Sequence, residues 1–187
     1  MADKKADPSP MPYQKAAHLL NPLRKLILSP QKLAKRLSLE RSSNVLELGC
    51  GPGYYSAEVA RNIPDGRLTL VDIQQEMLDM AKERMDSFGV SNARYVKADA
   101  ASLPFENDAF DVVYLVAVMG EIPDQSACIR ELHRILRSGG LLSVSEQSYD
   151  PHFITISEMK KLLGDTFHFE GTFGSSRNYT ASFRKEE

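Results

Sequence analysis

VLELGCGPGYYS, residues 45–56, runs from an apolar segment into three closely spaced glycines and then into residues suited to a helix. A short strand, a glycine turn and a helix start open a βα unit that holds a nucleotide-like ligand against its backbone. Glycine suits the turn because it accepts positive φ and lets a ligand approach without an intervening Cβ. The spacing is Gly49-x-Gly51-x-Gly53, and Tyr54 stands where a dinucleotide fingerprint would carry its third glycine. That glycine lets the helix pack close beneath a pyrophosphate, so Tyr54 weakens a nicotinamide-dinucleotide reading. No G-x-x-x-x-G-K-[S/T] motif is present, which excludes a P-loop.

Outward from the turn, strands and helices alternate. Residues 44–49 are predicted as strand one and 54–63 as a helix. RLTLVD (67–72) is strand two, and 74–89 is an amphipathic helix with Met77, Leu78, Ala81 and Met85 on one side and Gly89 as its stop. ARYVKAD (93–99) is strand three. Residues 110–118 are apolar but for Asp111, as a strand buried on both faces should be. A helix over 124–137 and a strand over 139–146 follow. The helix at 155–164 opens with a capping-box pair, Thr155 and Glu158. Residues 167–174 and 178–185 read as an antiparallel hairpin. This alternation predicts an α/β fold: a Rossmann-like, doubly wound, mostly parallel sheet flanked by helices.

In such a sheet the ligand crevice lies outside the carboxyl ends of the strands. The glycine turn, Asp72 at the end of strand two and Asp99 at the end of strand three therefore border one opening. An acid in the place of Asp72, 19 positions past Gly53, accepts hydrogen bonds from both hydroxyls of a ribose. Asp99 either meets the exocyclic amine of an adenine or caps a turn.

Ahead of the turn, residues 1–12 read as a disordered tail and 13–41 as a helical lid. Its helices are expected at roughly 14–28 and 31–38, with Ser29 as cap and Pro30 at the first helical position. Residues 1–41 carry nine Lys/Arg and three Asp/Glu, and the remainder fourteen and twenty-two. Such asymmetry marks either solvated helix faces or a basic arm that meets an anionic surface. In the second case Arg24, Lys25, Lys32, Lys35 and Arg36 would face anionic lipid.

The 187 residues, 42% hydrophobic and 26% charged, fit one ordinary globular domain and exclude a disordered or fibrous chain. No apolar run approaches a membrane span, and no apolar stretch backs the charged start, so a cytoplasmic setting is expected. The two cysteines, Cys50 and Cys128, lack metal-ligand spacing, and no metal is expected.

Four ordered motifs carry a resemblance over roughly residues 42–187: VLELGCGPGYYS with Asp72, KADAASLPF with Asp99, FDVVYLVAVMGEIPD, and LRSGGLLSVSE. Together they resemble the class I S-adenosylmethionine-dependent methyltransferases, and within them the small-molecule branch that includes the ubiquinone/menaquinone biosynthesis methyltransferases. The resemblance implies a seven-stranded sheet of order 3-2-1-4-5-7-6 with strand seven antiparallel. It implies S-adenosylmethionine as cofactor and S-adenosylhomocysteine as product. Glu47 and the loop Gly49, Cys50, Gly51 and Gly53 would surround the methionine part. Asp72 would hold the ribose, with Ile73 against the adenine, and Asp99 and Ala100 would read its edge. Backbone at Val116 and Ala117 would face the methionine amine. The branch often has His before IPD, where this chain has Glu121.

Methyl transfer from a sulfonium needs alignment, exclusion of water and sometimes removal of a proton, so no fixed catalytic dyad is expected. Glu121 is the candidate base or substrate anchor, or else a loop acid. Tyr54 and Tyr55 lend a π face to a sulfonium or pack the helix. Met77 is helix core placed close enough to touch adenine, and Cys50 is a small residue that fits its loop. His152 lies near the crevice, and His133 reads as a packing residue. The expected partner is a small-molecule methyl acceptor, with the N-terminal helices forming part of its pocket. The acidic balance of the core argues against nucleic acid. A protein or nucleic-acid methyltransferase and a cofactor-binding protein without turnover are the alternatives.

Overall fold

The computed structural model describes residues 8–186. Seven strands form one sheet of order β3-β2-β1-β4-β5-β7-β6. They are β1 Asn44–Leu48, β2 Arg67–Asp72, β3 Ala93–Lys97, β4 Phe110–Val116, β5 Leu136–Gln147, β6 His168–Ser175 and β7 Asn178–Arg184. β1 pairs in parallel with β2 and β4, β2 with β3, and β4 with β5. β7 runs antiparallel to both β5 and β6. The order and the reversed strand are those the sequence motifs imply.

The strands alternate their side chains between two cores, as a period of two requires. Val45, Leu68, Leu70, Val112 and Tyr114 face one, with helices α3 (Ser56–Asn62) and α4 (Gln75–Ser87) over them. Leu46, Leu48, Val71, Val113 and Leu115 face the other, beneath α5 (Gln125–Ile135) and α6 (Ile156–Leu163). The expected capping box of α6 is present, with Thr155 and Glu158 bonded reciprocally. The expected helix over 124–137 ends at Ile135, because Leu136 is already extended and pairs with Phe110.

The N-terminal region departs from two regular helices. Residues 14–28 break into a 3₁₀ turn at Tyr13–Lys15, α1 at Ala16–Leu19 and a second 3₁₀ turn at Pro22–Leu26. Pro22 has no N–H and pushes the preceding residue out of the α region. Asn21 accordingly sits at ψ 121° and caps the next turn by accepting from Leu23 N–H at 2.9 Å. α2, Pro30–Arg36, forms as expected with Ser29 as its cap. Its Leu33, with Leu28 and Leu37 on either side, is buried in the core of the α3–α4 face.

Residues 1–7 of the expected tail lie outside the described residues. Its remainder does not hang free. Met11 N–H donates to Glu121 Oε2 at 3.3 Å, Met11 O accepts from Gln74 Nε2 at 2.8 Å, and Tyr13 N–H donates to Gln74 Oε1 at 3.0 Å. Residues 11–13 thus bridge the loop after β2 and the turn after β4.

Candidate active site

At the carboxyl ends of β1, β2 and β4 lies a cavity of about 220 Å³. Its floor is the glycine turn. Gly49 and Cys50 N–H groups both donate to Val71 O, at 2.8 and 3.1 Å, and Gly53 N–H donates to Cys50 O at 3.1 Å. Asp72 ties the turn from the side: its Oδ2 accepts from Gly51 N–H at 2.9 Å and its Oδ1 from Gln74 N–H at 3.0 Å. The turn therefore spends its donors on the fold itself and offers the ligand a close surface. Gly49 has φ +67°, and a Cβ there would come within 2.5 Å of a Val118 methyl.

Gly53 does not line the cavity. A Cβ on it would meet Ala81 of α4 at 3.2 Å. It does the helix-packing work that a dinucleotide fingerprint assigns one position later, which is why Tyr54 is tolerated there. The other sequence-expected residues all border the cavity: Glu47, Gly49, Cys50, Gly51, Tyr54, Asp72, Ile73, Met77, Asp99, Ala100, Val116 and Glu121. Asp99 also serves its alternative role, since its Oδ1 accepts from Ala101 N–H at 2.9 Å. Ala117, beside Val116, holds φ +55°, a left-handed conformation rare for a residue with a Cβ. Its N–H donates to Ser145 O at 2.8 Å, which locks β4 to β5 at the cavity edge.

Two carboxyls in the cavity are pushed up to about 7. Glu47 is fully buried, and burial pushes it up to about 7 against a bond from Ser56 Oγ at 2.5 Å. Glu121 is pushed up to about 7 by burial and by the charge of Asp150, while the Met11 N–H opposes the shift. Burial also raises Asp72 and the Cys50 thiol. A carboxyl near 7 exchanges protons at neutral pH, and at Glu121 it does so on the wall made by Ile122, Pro123, Tyr149 and Asp150.

Several residues of this site escaped the sequence reading. Met11 and Gln74 enter through backbone–side-chain bonds that no periodicity signals. Tyr149 and Asp150 come from the turn after β5, where His152 was the expected contributor. His152 instead packs its carbonyl against Gly120, where a Cβ would lie 1.9 Å away, and its N–H donates to Asp150 Oδ1 at 2.7 Å. His133 stacks edge-on with Phe167, as a packing residue. Arg24 and Arg36, read in sequence as part of either solvated helix faces or a basic arm, both make contacts within the fold. Arg24 lies over the rings of Tyr54 and Tyr55 at the cavity, and Arg36 donates to Thr180 Oγ1 at 2.8 Å. A π face of each tyrosine is thus engaged by Arg24. Among the described residues, no group of three or more His, Cys, Asp or Glu is placed to hold a metal ion.

Residues 45–140 match the family model described as "Methyltransferase domain". A ubiquinone/menaquinone biosynthesis C-methyltransferase UbiE of an Enterobacter species is 35% identical over 124 residues, 63% of this chain and 49% of that protein. This chain therefore spans about half the length of the curated relatives it matches. In structure it is similar to a SAM-dependent methyltransferase from Aquifex aeolicus, with TM-score 0.85, 18% identity, and 93% and 98% of the two chains covered. It is also similar to the [4+2]-cyclase SpnF, with TM-score 0.75, 20% identity, and coverage of 84% and 79%.

Proposed function

This chain belongs to the class I S-adenosylmethionine-dependent methyltransferases, and from that membership we propose that it transfers a methyl group to a small-molecule acceptor. One observation carries the reading. Asp72, the glycine turn, Asp99 and Glu121 converge on a single cavity at the carboxyl ends of the strands. The residues present fit the family's cofactor. Each Asp72 oxygen accepts one backbone N–H, which leaves lone pairs for two ribose hydroxyls. Ile73 and Met77 offer apolar contact for adenine, and the buried Glu47 lies beneath the turn where the methionine part would rest.

The cofactor supplies a methyl already activated on a sulfonium. What remains for the protein is alignment, dryness and a proton sink. Glu121 is suited to the last role, because a carboxyl near 7 is partly ionised at neutral pH and accepts a proton as the acceptor gains its methyl. Met11 and Tyr149 would close the acceptor side. The UbiE relatives are named C-methyltransferases of ubiquinone/menaquinone biosynthesis, which favours carbon of a quinone-like acceptor as the methylated atom. The SpnF likeness makes turnover the point to test, since this fold also serves a cyclase.

The domain reading follows the same lines. Residues 8–28 act as the lid, and α2 onward forms the methyltransferase domain. Leu23 and Leu26, 65% and 72% exposed, project from the lid beside Lys25 and support a weak contact with an anionic membrane surface. Among the described residues no helix is long and apolar enough to cross a membrane.

The test is formation of S-adenosylhomocysteine against a panel of hydroquinones and phenols. With Glu121 titrating near 7, the rate should rise about tenfold from pH 6 to pH 8, and Glu121→Gln should remove the rise. A pH-independent rate in the parent protein would remove Glu121 from the mechanism. No product with any acceptor would count against turnover.

A further inference from the structure

Among the described residues lining the cavity, Arg24 is the only cation, set against the carboxyls Glu47, Asp72, Asp99, Glu121 and Asp150. A surface arginine would sit in solvent. This one is drawn inward, with its guanidinium carbon 5.2 Å from the Tyr54 ring centre and 5.7 Å from that of Tyr55. Nη1 donates to Leu19 O at 2.7 Å, while the buried Nε has no partner. Arg24 forms no ion pair within 4.0 Å among the described residues, although Asp150 is close enough to feel its charge. The two rings meet edge-on at 84° and hold the guanidinium at the cavity, and its spare donors match a carboxylate.

The position says which carboxylate. Leu19, which holds Nη1, faces Gly51, where an added Cβ would stand 3.3 Å from its Cδ1. Tyr54 and Tyr55 follow the glycine turn directly. Arg24 therefore lies over the end of the cavity where the methionine part of the cofactor would rest, opposite the adenosine end at Ile73 and Ala100. We propose that Arg24 binds the amino-acid carboxylate of the cofactor and so closes the N-terminal lid when the cofactor is bound. The inference rests on the cofactor reading above and adds a residue outside the matched family region. The lid that covers the acceptor wall would then be held shut by the cofactor, which orders cofactor before acceptor.

The experiment compares two ligands that differ only beyond the thioether. S-adenosylhomocysteine carries the amino-acid carboxylate, and 5′-methylthioadenosine lacks it. Calorimetric titration is run on the parent chain, on Arg24→Met, which keeps an apolar side chain beside the rings, and on Arg24→Lys. Arg24→Met should weaken S-adenosylhomocysteine about tenfold to a hundredfold and leave methylthioadenosine within about twofold. Arg24→Lys should recover part of the loss. Hydrogen exchange supplies a readout of the lid: in the parent chain S-adenosylhomocysteine should slow exchange across residues 11–28 more than methylthioadenosine does, and in Arg24→Met the two should act alike. Equal loss for both ligands, or an unchanged affinity for S-adenosylhomocysteine, overturns the assignment while leaving the cofactor reading intact. Failure of both ligands to bind the parent chain overturns both.

Discussion

Replacing Gly53 by alanine should cost far more than the same change at Gly89, although both glycines adopt left-handed backbone, φ +76° and +68°. A Cβ in that conformation costs about 1–2 kcal/mol at either site. At Gly89 nothing stands within 4 Å of the added Cβ, so the conformational cost is the whole cost. At Gly53 the Cβ would lie 3.2 Å from Ala81 Cβ and 3.3 Å from Ala81 Cα. Ala81 is fully buried in the middle of α4, and its backbone has no rotamer to retreat into. Forcing the helix aside adds about 1–3 kcal/mol. Gly53→Ala should therefore destabilise by about 2–5 kcal/mol, and Gly89→Ala by about 1–2 kcal/mol. Equilibrium urea unfolding reads both, as shifts in midpoint at constant slope. Equal losses at the two sites would mean that close packing of α4 on the turn does not depend on Gly53.

Two further outcomes are expected. Glu47 and Glu121 are raised to about 7 in the folded chain, above their unfolded values. Between about pH 4.5 and 7 the unfolded chain releases protons that the folded chain keeps, so stability should fall as pH rises through this window. Glu47→Gln should flatten the slope in pH-dependent urea unfolding, and an unchanged slope would contradict its buried neutral state. Vesicles rich in anionic lipid should retain the parent chain in flotation at low salt, neutral vesicles should not, and Leu23→Ser with Leu26→Ser should abolish retention. Retention that survives the double change would place the contact elsewhere.

The sheet was legible because its signals are local. Each strand is an apolar or alternating run closed by a glycine, an acid or a cap, and the capping box at Thr155 depends on four adjacent residues. The strand order came with the family motifs rather than with periodicity. The floor of the site was legible for the same reason, since Gly49, Asp72 and Asp99 lie at predictable strand ends. What escaped depends on tertiary contacts. Leu19, Leu23, Leu26 and Ile27 recur at helical spacing, yet Leu19 faces Gly51 while Leu23 and Leu26 face solvent. Pro22 breaks the helix that would have put them on one face. Arg24 read as a surface charge because nothing in its neighbourhood announces two tyrosines 30 residues away. Met11 read as tail because its partners, Gln74 and Glu121, are joined to it only by the fold. Leu136 read as the end of a helix because its apolar side chain suits either element, and pairing with Phe110 decides for the strand.

Whether this cavity holds S-adenosylmethionine is decided by calorimetric titration of the purified chain with S-adenosylhomocysteine beside NAD. Asp72→Ala serves as the control, because it removes the carboxylate that both orders the glycine turn and would hold the ribose. Saturable binding of S-adenosylhomocysteine alone is expected, weakened at least about tenfold in the variant. Binding of NAD in its place, or S-adenosylhomocysteine binding that does not change when Asp72 is removed, would contradict the cofactor reading.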